Sequence, residues 1–305
     1  MISFIHRFER LASHRYRAKI PATRIGAAMN DLSADVLIFS KPCPRDWLKA
    51  KEAVDAGRTV VVDYCDHHFD RWYYEGFVKF AHHITCSTDE MAKIVRGITK
   101  THVTVIADPY EYPLEAPHCA GNNLLWFGGR INYKTLERVR PQLEGYPLRV
   151  VCDLPETIQW SHKTMLDEFK HADIVVIPET PSYKGCNRAM ESVRQGCYVV
   201  AEPHPSLKDI PGIWIGDLRG GVEWASSHLD EANAETAEAA QYVSVHFSPE
   251  FIGDQWASLC ETLLKRRFKN EPISAKSINA CNSVHRDLQL LAGAAVPWGN
   301  GEACQ

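Results

Sequence analysis

The sequence predicts an α/β protein built from two successive units, and three observations carry that prediction. Short apolar runs rich in Val and Ile alternate with helical segments through the first part of the chain. The alternation restarts after a polar, proline-containing connector at residues 108–123, DPYEYPLEAPHCAGNN. Residues 173–201, DIVVIPETPSYKGCNRAMESVRQGCYVVA, then read as strand, helix and strand, the right-handed crossover unit of a parallel sheet.

In the first unit, strands are expected at residues 2–5, 36–40, 59–63, 84–87 and 103–106, with helices at 47–56 and 89–95. In the second, strands are expected at 124–127, 149–152, 174–177, 198–201 and 213–215, followed by an Ala/Glu-rich helix at 230–242. Residues 249–268 keep helical periodicity through Phe251, Ile252, Trp256, Leu259, Leu263 and Leu264, so they pack across the domains or close the second one. One more helix is expected at 283–292 before a Gly-rich end, WGNGEACQ. The resulting domains are residues 1–118, residues 119–268, and a helix and tail at 269–305.

A chain of 305 residues with 45% hydrophobic and 24% charged content has room for two folded cores. A net charge of −4 and a pI near 6.4 exert no global pull on nucleic acid or membrane, which leaves only local basic stretches at residues 6–19 and 265–269. Ten cysteines are scattered without a CxxC pair or zinc-ligand spacing and read as buried reduced thiols. The first residues, MISFIHRFER, lack the apolar core of a signal peptide, and no run reaches the ~18 apolar residues of a membrane span. A cytoplasmic protein with no integral membrane contact follows as the expectation; nothing in the sequence fixes an oligomeric state.

Lys184, Asn187, Arg188 and Glu191 fall at i, i+3, i+4 and i+7 on one face of the helix expected between residues 178 and 197. Ala189, Met190, Val193 and Cys197 fall on the face that packs on the sheet. The amino-terminal turn of such a helix presents unpaired amides, so Lys184 and Arg188 beside it suit a pyrophosphate, and Glu191 suits the vicinal hydroxyls of a ribose. A solvated Lys/Arg/Glu lattice gives the same spacing. Gly185 and Gly196, at the two ends, weigh toward close backbone approach and a clean stop.

Residues 124–134, LLWFGGRINYK, carry a strand into Gly128, Gly129 and Arg130, with Lys134 four residues on. Small residues at a strand's carboxyl end let a phosphate approach the backbone, and two cations flank it, although Gly-Gly alone also suits a turn. GxGxxG and the Walker lysine are missing, which argues against a dinucleotide or ATP site. In the first unit, VVVDYCDHHFD at residues 60–70 delivers Asp63, Asp66, His67, His68 and Asp70 to the exit of a strand. Such a group suits sugar orientation and acid/base work at Asp66 or His67; metal is disfavoured because neighbouring side chains of one loop cannot all converge. Arg15 and Arg17 either meet an anionic ligand or form an exposed basic loop, and His82 and His83 read as structural.

Taken together, the GGR…K loop, the helix ending in Glu191, the following GCYVVA strand and the FSPEFIGDQW segment at Phe247 resemble a GT-B glycosyltransferase, more narrowly the family-4 group of retaining, nucleotide-sugar-dependent enzymes. The resemblance is best over residues 124–215. It implies two Rossmann-like domains facing across a cleft, with a UDP-hexose donor held mostly by the second domain and the acceptor entering from the first. It places Arg130, Lys134 and Arg188 on the departing diphosphate, Glu191 on the ribose, Gly128, Gly129, Lys184, Gly185 and Asn187 around the donor, and Asp66 or His67 toward the transferred sugar or acceptor. No metal and no cofactor besides the donor is implied, since protein cations and a helix amino terminus serve the leaving group. The first acid of the family's E-x7-E pattern is absent: counting back from Glu191 reaches Tyr183 or Lys184. The acceptor is a glycan, lipid-linked or small molecule, or a hydroxylated base in DNA. The alternative from another class is a non-catalytic nucleotide-sugar-binding or scaffold protein.

Overall fold

The computed structural model describes residues 1–268. The described chain forms two compact units, Met1–Asp108 joined by the residues from Ile252 onward, and Pro109–Phe251. The helix expected at 283–292 and the tail lie outside the described residues.

The first unit is a six-stranded sheet in the order β2-β1-β3-β4-β5-β6, parallel throughout. Its strands are β1 (Ile2–Ile5), β2 (Ala28–Met29), β3 (Val36–Ser40), β4 (Thr59–Tyr64), β5 (His83–Cys86) and β6 (Val103–Val105). Val36, Leu37, Ile38 and Phe39 of β3 and Val60, Val61 and Val62 of β4 are fully buried, as strands covered on both faces must be. The chain between β1 and β2 winds as α1 (Ala12–His14), a π-helical turn (Arg15–Lys19) and α2 (Ile20–Ile25). The remaining helices are α3 (Pro44–Asp55), α4 (Trp72–Phe80) and α5 (Asp89–Ile98). Pro44 and a capping box between Cys43 and Asp46 start α3, while Thr88 caps α5 by accepting from the Met91 amide.

The second unit repeats the plan, with strand order β12-β11-β10-β7-β8-β9, again parallel. In chain order it runs β7 (Leu124–Phe127), α6 (Arg130–Val139), β8 (Leu148–Cys152), β9 (Ile158–Gln159), α7 (His162–Phe169), β10 (Ile174–Ile177), α8 (Asn187–Arg194), β11 (Tyr198–Ala201), β12 (Trp214–Ile215), α9 (Leu218–Ser227) and α10 (Leu229–His246). Alternate residues of the central strands feed opposite cores. Val175, Ile177, Val199 and Ala201 pack under α8 and α10, and Ile174, Val176, Tyr198 and Val200 pack under α6 and α9.

The unit boundaries differ from those expected at residues 118 and 268. The last helix, α11 (Pro249–Phe268), buries Ile252, Trp256, Cys260 and Leu263 against Phe4, Ile38, Val61 and Ile106, so its apolar stripe belongs to the first core. No helix among the described residues is long and apolar enough to cross a membrane.

Candidate functional site

In the second unit the chain leaves β10, makes an irregular turn through Pro178 and Pro181, and enters α8 at Asn187. The helix is therefore shorter than expected. Lys184 and Gly185 lie in the turn before it, where the Lys184 amide donates to the Pro181 carbonyl and the Lys184 carbonyl accepts from Ser206 Oγ at 2.7 Å. The expected stripe of Lys184, Asn187, Arg188 and Glu191 thus survives on the helix only for its last three members. Two prolines and a glycine explain why: proline removes donors and glycine weakens helix, so the first turn forms only at Asn187.

No side chain caps α8. Within its first turn Arg188 lines a pocket with Thr180, Gly185, Cys186, Glu202 and His204, and its Nη1 is buried without a hydrogen-bond partner. Burial pushes the guanidinium down to about 10. The nearby carboxylate of Glu202 is taken up by both Nη atoms of Arg138 and by the Glu179 amide. A half-buried arginine whose Nη1 is buried and unpartnered, beside uncapped helix amides, is an arrangement that an anion completes.

Glu191 is 1% exposed, and its two oxygens accept the amides of Glu111 at 2.8 Å and Tyr112 at 3.1 Å. These contacts fasten the start of the second unit to α8. Their partners lie far away in sequence, and no local pattern announced them. Gly196 ends the helix as expected, with φ +78° and a backbone so close to Ala116 that an added Cβ would stand 2.1 Å from its carbonyl oxygen.

At the end of β7, the strand beside β10, Gly128 and Gly129 lead directly into α6, whose first residue is Arg130. An added Cβ at Gly128 would meet the Trp126 ring at 3.2 Å, whereas Gly129 faces open space within 4 Å. Packing thus accounts for the first glycine and leaves the second open to a ligand. Arg130 is exposed, and Asp153 at the end of β8 accepts its amide at 2.6 Å and its Nε at 3.2 Å. Against the cost of burial, hydrogen bonds from the Arg130 amide, the Cys152 thiol and the Arg130 guanidinium hold Asp153 below the usual carboxylate range. Lys134, one turn on, is exposed and makes no ion pair among the described residues. The α6 terminus thus already meets a carboxylate, and among the described residues no side chain caps the α8 terminus. Asp153 escaped the sequence reading because only the pairing of β7 with β8 brings it there.

In the first unit, the group expected at residues 63–70 divides in two. Asp63 is fully buried and accepts from Arg17 Nε at 3.0 Å, Ser40 Oγ at 2.9 Å and Thr85 Oγ1 at 2.8 Å. Arg17 also donates to the Ile106 carbonyl and pairs with Asp108, so it is a core residue and neither an anion ligand nor part of an exposed loop. Despite burial, Asp63 and Asp108 hold its guanidinium above the ordinary value. Asp66, past the end of β4, pairs with Lys41 Nζ at 2.9 Å. Lys41 follows β3 in a left-handed conformation, φ 47°, held by its amide on the Asp63 carbonyl. His67 is exposed, with its ring edge-on to Phe69. His6, which the sequence reading passed over, is buried just past β1; its Nδ1 accepts the Phe8 amide, its Nε2 meets Ser13 Oγ at 3.2 Å, and burial with His14 and Lys41 pushes it down to about 3. The signal available for His6 was its place one residue after a strand. His82 is structural as expected, its Nδ1 accepting the Val60 amide. No group of three or more His, Cys, Asp or Glu side chains is placed to hold a metal ion among the described residues.

No protein-family model matches the sequence, and no curated protein matches it. Solved structures do match. HepE from Anabaena, in complex with UDP and glucose, superposes with a TM-score of 0.70 at 10% identity over 86% of this chain and 99% of that one. A glycosyltransferase from Rickettsia africae ESF-5 gives a TM-score of 0.56 at 10% identity, covering 87% and 98%. A mutant of S. aureus TarM, in complex with Fondaparinux, alpha-GlcNAc-glycerol and UDP, gives 0.54 at 13% identity over 73% of this chain and 55% of that one. At such identities the likeness establishes the fold alone: two parallel α/β units of the GT-B type.

Proposed function

We propose that this chain is a glycosyltransferase that moves a hexose from a UDP-hexose to an acceptor hydroxyl. The observation that carries the reading is Arg188, half-buried with its Nη1 buried and unpartnered, at the uncapped amino terminus of α8 on the carboxyl edge of the second sheet. Ligands of open α/β sheets gather at that edge. The occupant suited to it is a diphosphate, and HepE, which shares the fold, holds UDP.

In the reaction the acceptor hydroxyl oxygen bonds to the sugar C1 as the bond between C1 and the β-phosphate oxygen breaks; the electron pair leaves with UDP, and the hydroxyl proton passes to the departing phosphate oxygen. Arg188 and the first amides of α8 stabilise that developing charge, with Arg130, Lys134 and the Gly128–Gly129 backbone around the same diphosphate. Lys184 and Gly185 form the near wall from the turn before the helix, and Asn187 reaches the phosphates or sugar hydroxyls. Glu191, anchored by two backbone amides, meets the ribose. Asp66 or His67 faces the sugar or the acceptor. The cations of the chain make a metal dispensable, and the product keeps the anomeric configuration of the donor, through an oxocarbenium-like transition state.

The test is release of UDP from a panel of UDP-hexoses in EDTA, with glycan, lipid-linked, small-molecule and hydroxymethylated-DNA acceptors supplied in turn. Release with one acceptor class, and a product of retained anomeric configuration by NMR, is the expected result. UDP binding without release from any donor would contradict turnover and favour a nucleotide-sugar-binding scaffold.

A further inference from the structure

We propose that a second anion site lies in the first unit: a pocket lined by Phe8, Lys41, His68, Arg71, Tyr73 and Tyr74 that takes a phosphate group carried by the acceptor. Calling its ligand an acceptor rests on the glycosyl-transfer reading; phosphate binding itself does not.

Three features converge there. Tyr74 is 1% exposed, and its hydroxyl is buried with no hydrogen-bond partner. An unmade bond of this kind costs about 1–3 kcal/mol. The neighbouring Tyr64 hydroxyl, by contrast, donates to the Tyr74 carbonyl at 2.7 Å, so the same cluster satisfies one phenol and leaves the other for a ligand. Burial keeps the Tyr74 phenol well above its ordinary pKa, hence a donor at every working pH.

The second feature is the start of α4. Arg71 is its extended first flanking residue, and no side chain caps the helix. A turn that closes from the Arg71 amide to the His68 carbonyl at 2.9 Å brings these two residues to the pocket together. Burial, then Arg71 and Lys41, lower the His68 pKa, so the imidazole is neutral where cations gather. The third is Lys41, a non-glycine residue in the left-handed region, whose ammonium stands 2.9 Å from Asp66 at the same strand edge. Backbone strain of that kind costs on the order of 1 kcal/mol and concentrates at ligand sites. The carboxylate of α4, Glu75, pairs with Lys79 at 3.2 Å. A lysine, an arginine, an unmet phenol and helix amides form an oxyanion receptor.

The test is calorimetric titration of inorganic phosphate, then of glycerol phosphate, into the full chain saturated with UDP, which keeps phosphate out of the donor site. Wild type is compared with Arg71→Gln and Tyr74→Phe. Both probes are expected to bind wild type, with affinity lowered about tenfold or more by Arg71→Gln and several-fold by Tyr74→Phe. UDP binding stays unchanged in both variants. Tyr74→Phe is nearly isosteric and removes only the unmet hydroxyl, so a role in packing alone predicts equal phosphate affinity. Equal affinity in all three proteins, or no phosphate binding while UDP binds, would overturn the proposal. Binding of phosphate with exclusion of glycerol phosphate would overturn the acceptor assignment. Variant-sensitive phosphate binding in a protein that ignores UDP would support the pocket and count against the donor reading.

Discussion

Replacing Arg188 by methionine separates a cation kept for a ligand from a cation kept for the fold. Burial lowers the guanidinium from 12.5 to about 10, which at ~1.4 kcal/mol per pH unit is a cost of roughly 3 kcal/mol for holding the charge. The unfolded chain binds this proton more tightly, so the cost is fully present at every pH below about 10 and is relieved only as pH rises from there toward 12.5. Methionine keeps much of the aliphatic stem and loses the charge. Without nucleotide, Arg188→Met is therefore expected to unfold at higher urea, with a gain of about 1–3 kcal/mol. With UDP present, the stabilisation that the ligand adds should collapse, reflecting affinity weakened at least about tenfold. Urea titrations of both proteins, with and without UDP, read both effects. A variant that unfolds more easily than wild type and keeps the whole UDP increment would refute the reasoning and make Arg188 a structural residue.

Other residues give independent checks. Glu191→Ala strands the Glu111 and Tyr112 amides and should cost about 2–4 kcal/mol in urea unfolding, so lost turnover in that variant has to be read beside Glu191→Gln, which keeps one acceptor. Gly196→Ala forces a side chain into positive φ and into the Ala116 carbonyl, with an expected loss above ~1 kcal/mol in thermal or urea unfolding. His6 titrates at 6.5 when unfolded and near 3 when folded, so the unfolded state takes up the proton first and stability falls as pH drops from 6.5 toward 3, by at most roughly 5 kcal/mol. His6→Gln should flatten that acid limb in a pH series of urea melts.

The strands were legible because each is a compact apolar run: β1, β3, β7, β10 and β11 lie at the residues expected. Helix α4 was not, because WYYEGFVKF is aromatic on every side and contains Gly76, where an added Cβ would stand 2.6 Å from Trp47 Nε1. Nor was α6, whose mostly polar sequence reads as a loop after Gly-Gly. At the site, residue type pointed to Arg130 and Arg188 alike. Only tertiary structure shows that one is exposed and paired with Asp153 while the other is half-buried with its Nη1 buried and unmet. The same limit hid the Arg17–Asp63 pair, since no spacing along the chain reveals that an arginine is fully buried.

Donor binding by the second unit is the central claim, and thermal unfolding of the wild-type chain with and without UDP in EDTA tests it most directly. A ligand that binds only the folded state adds about 2.7 kcal/mol when supplied at a hundred times its dissociation constant. The expected result is a midpoint that rises with UDP concentration and survives EDTA. An unchanged midpoint at millimolar UDP, with or without added divalent metal, would contradict it.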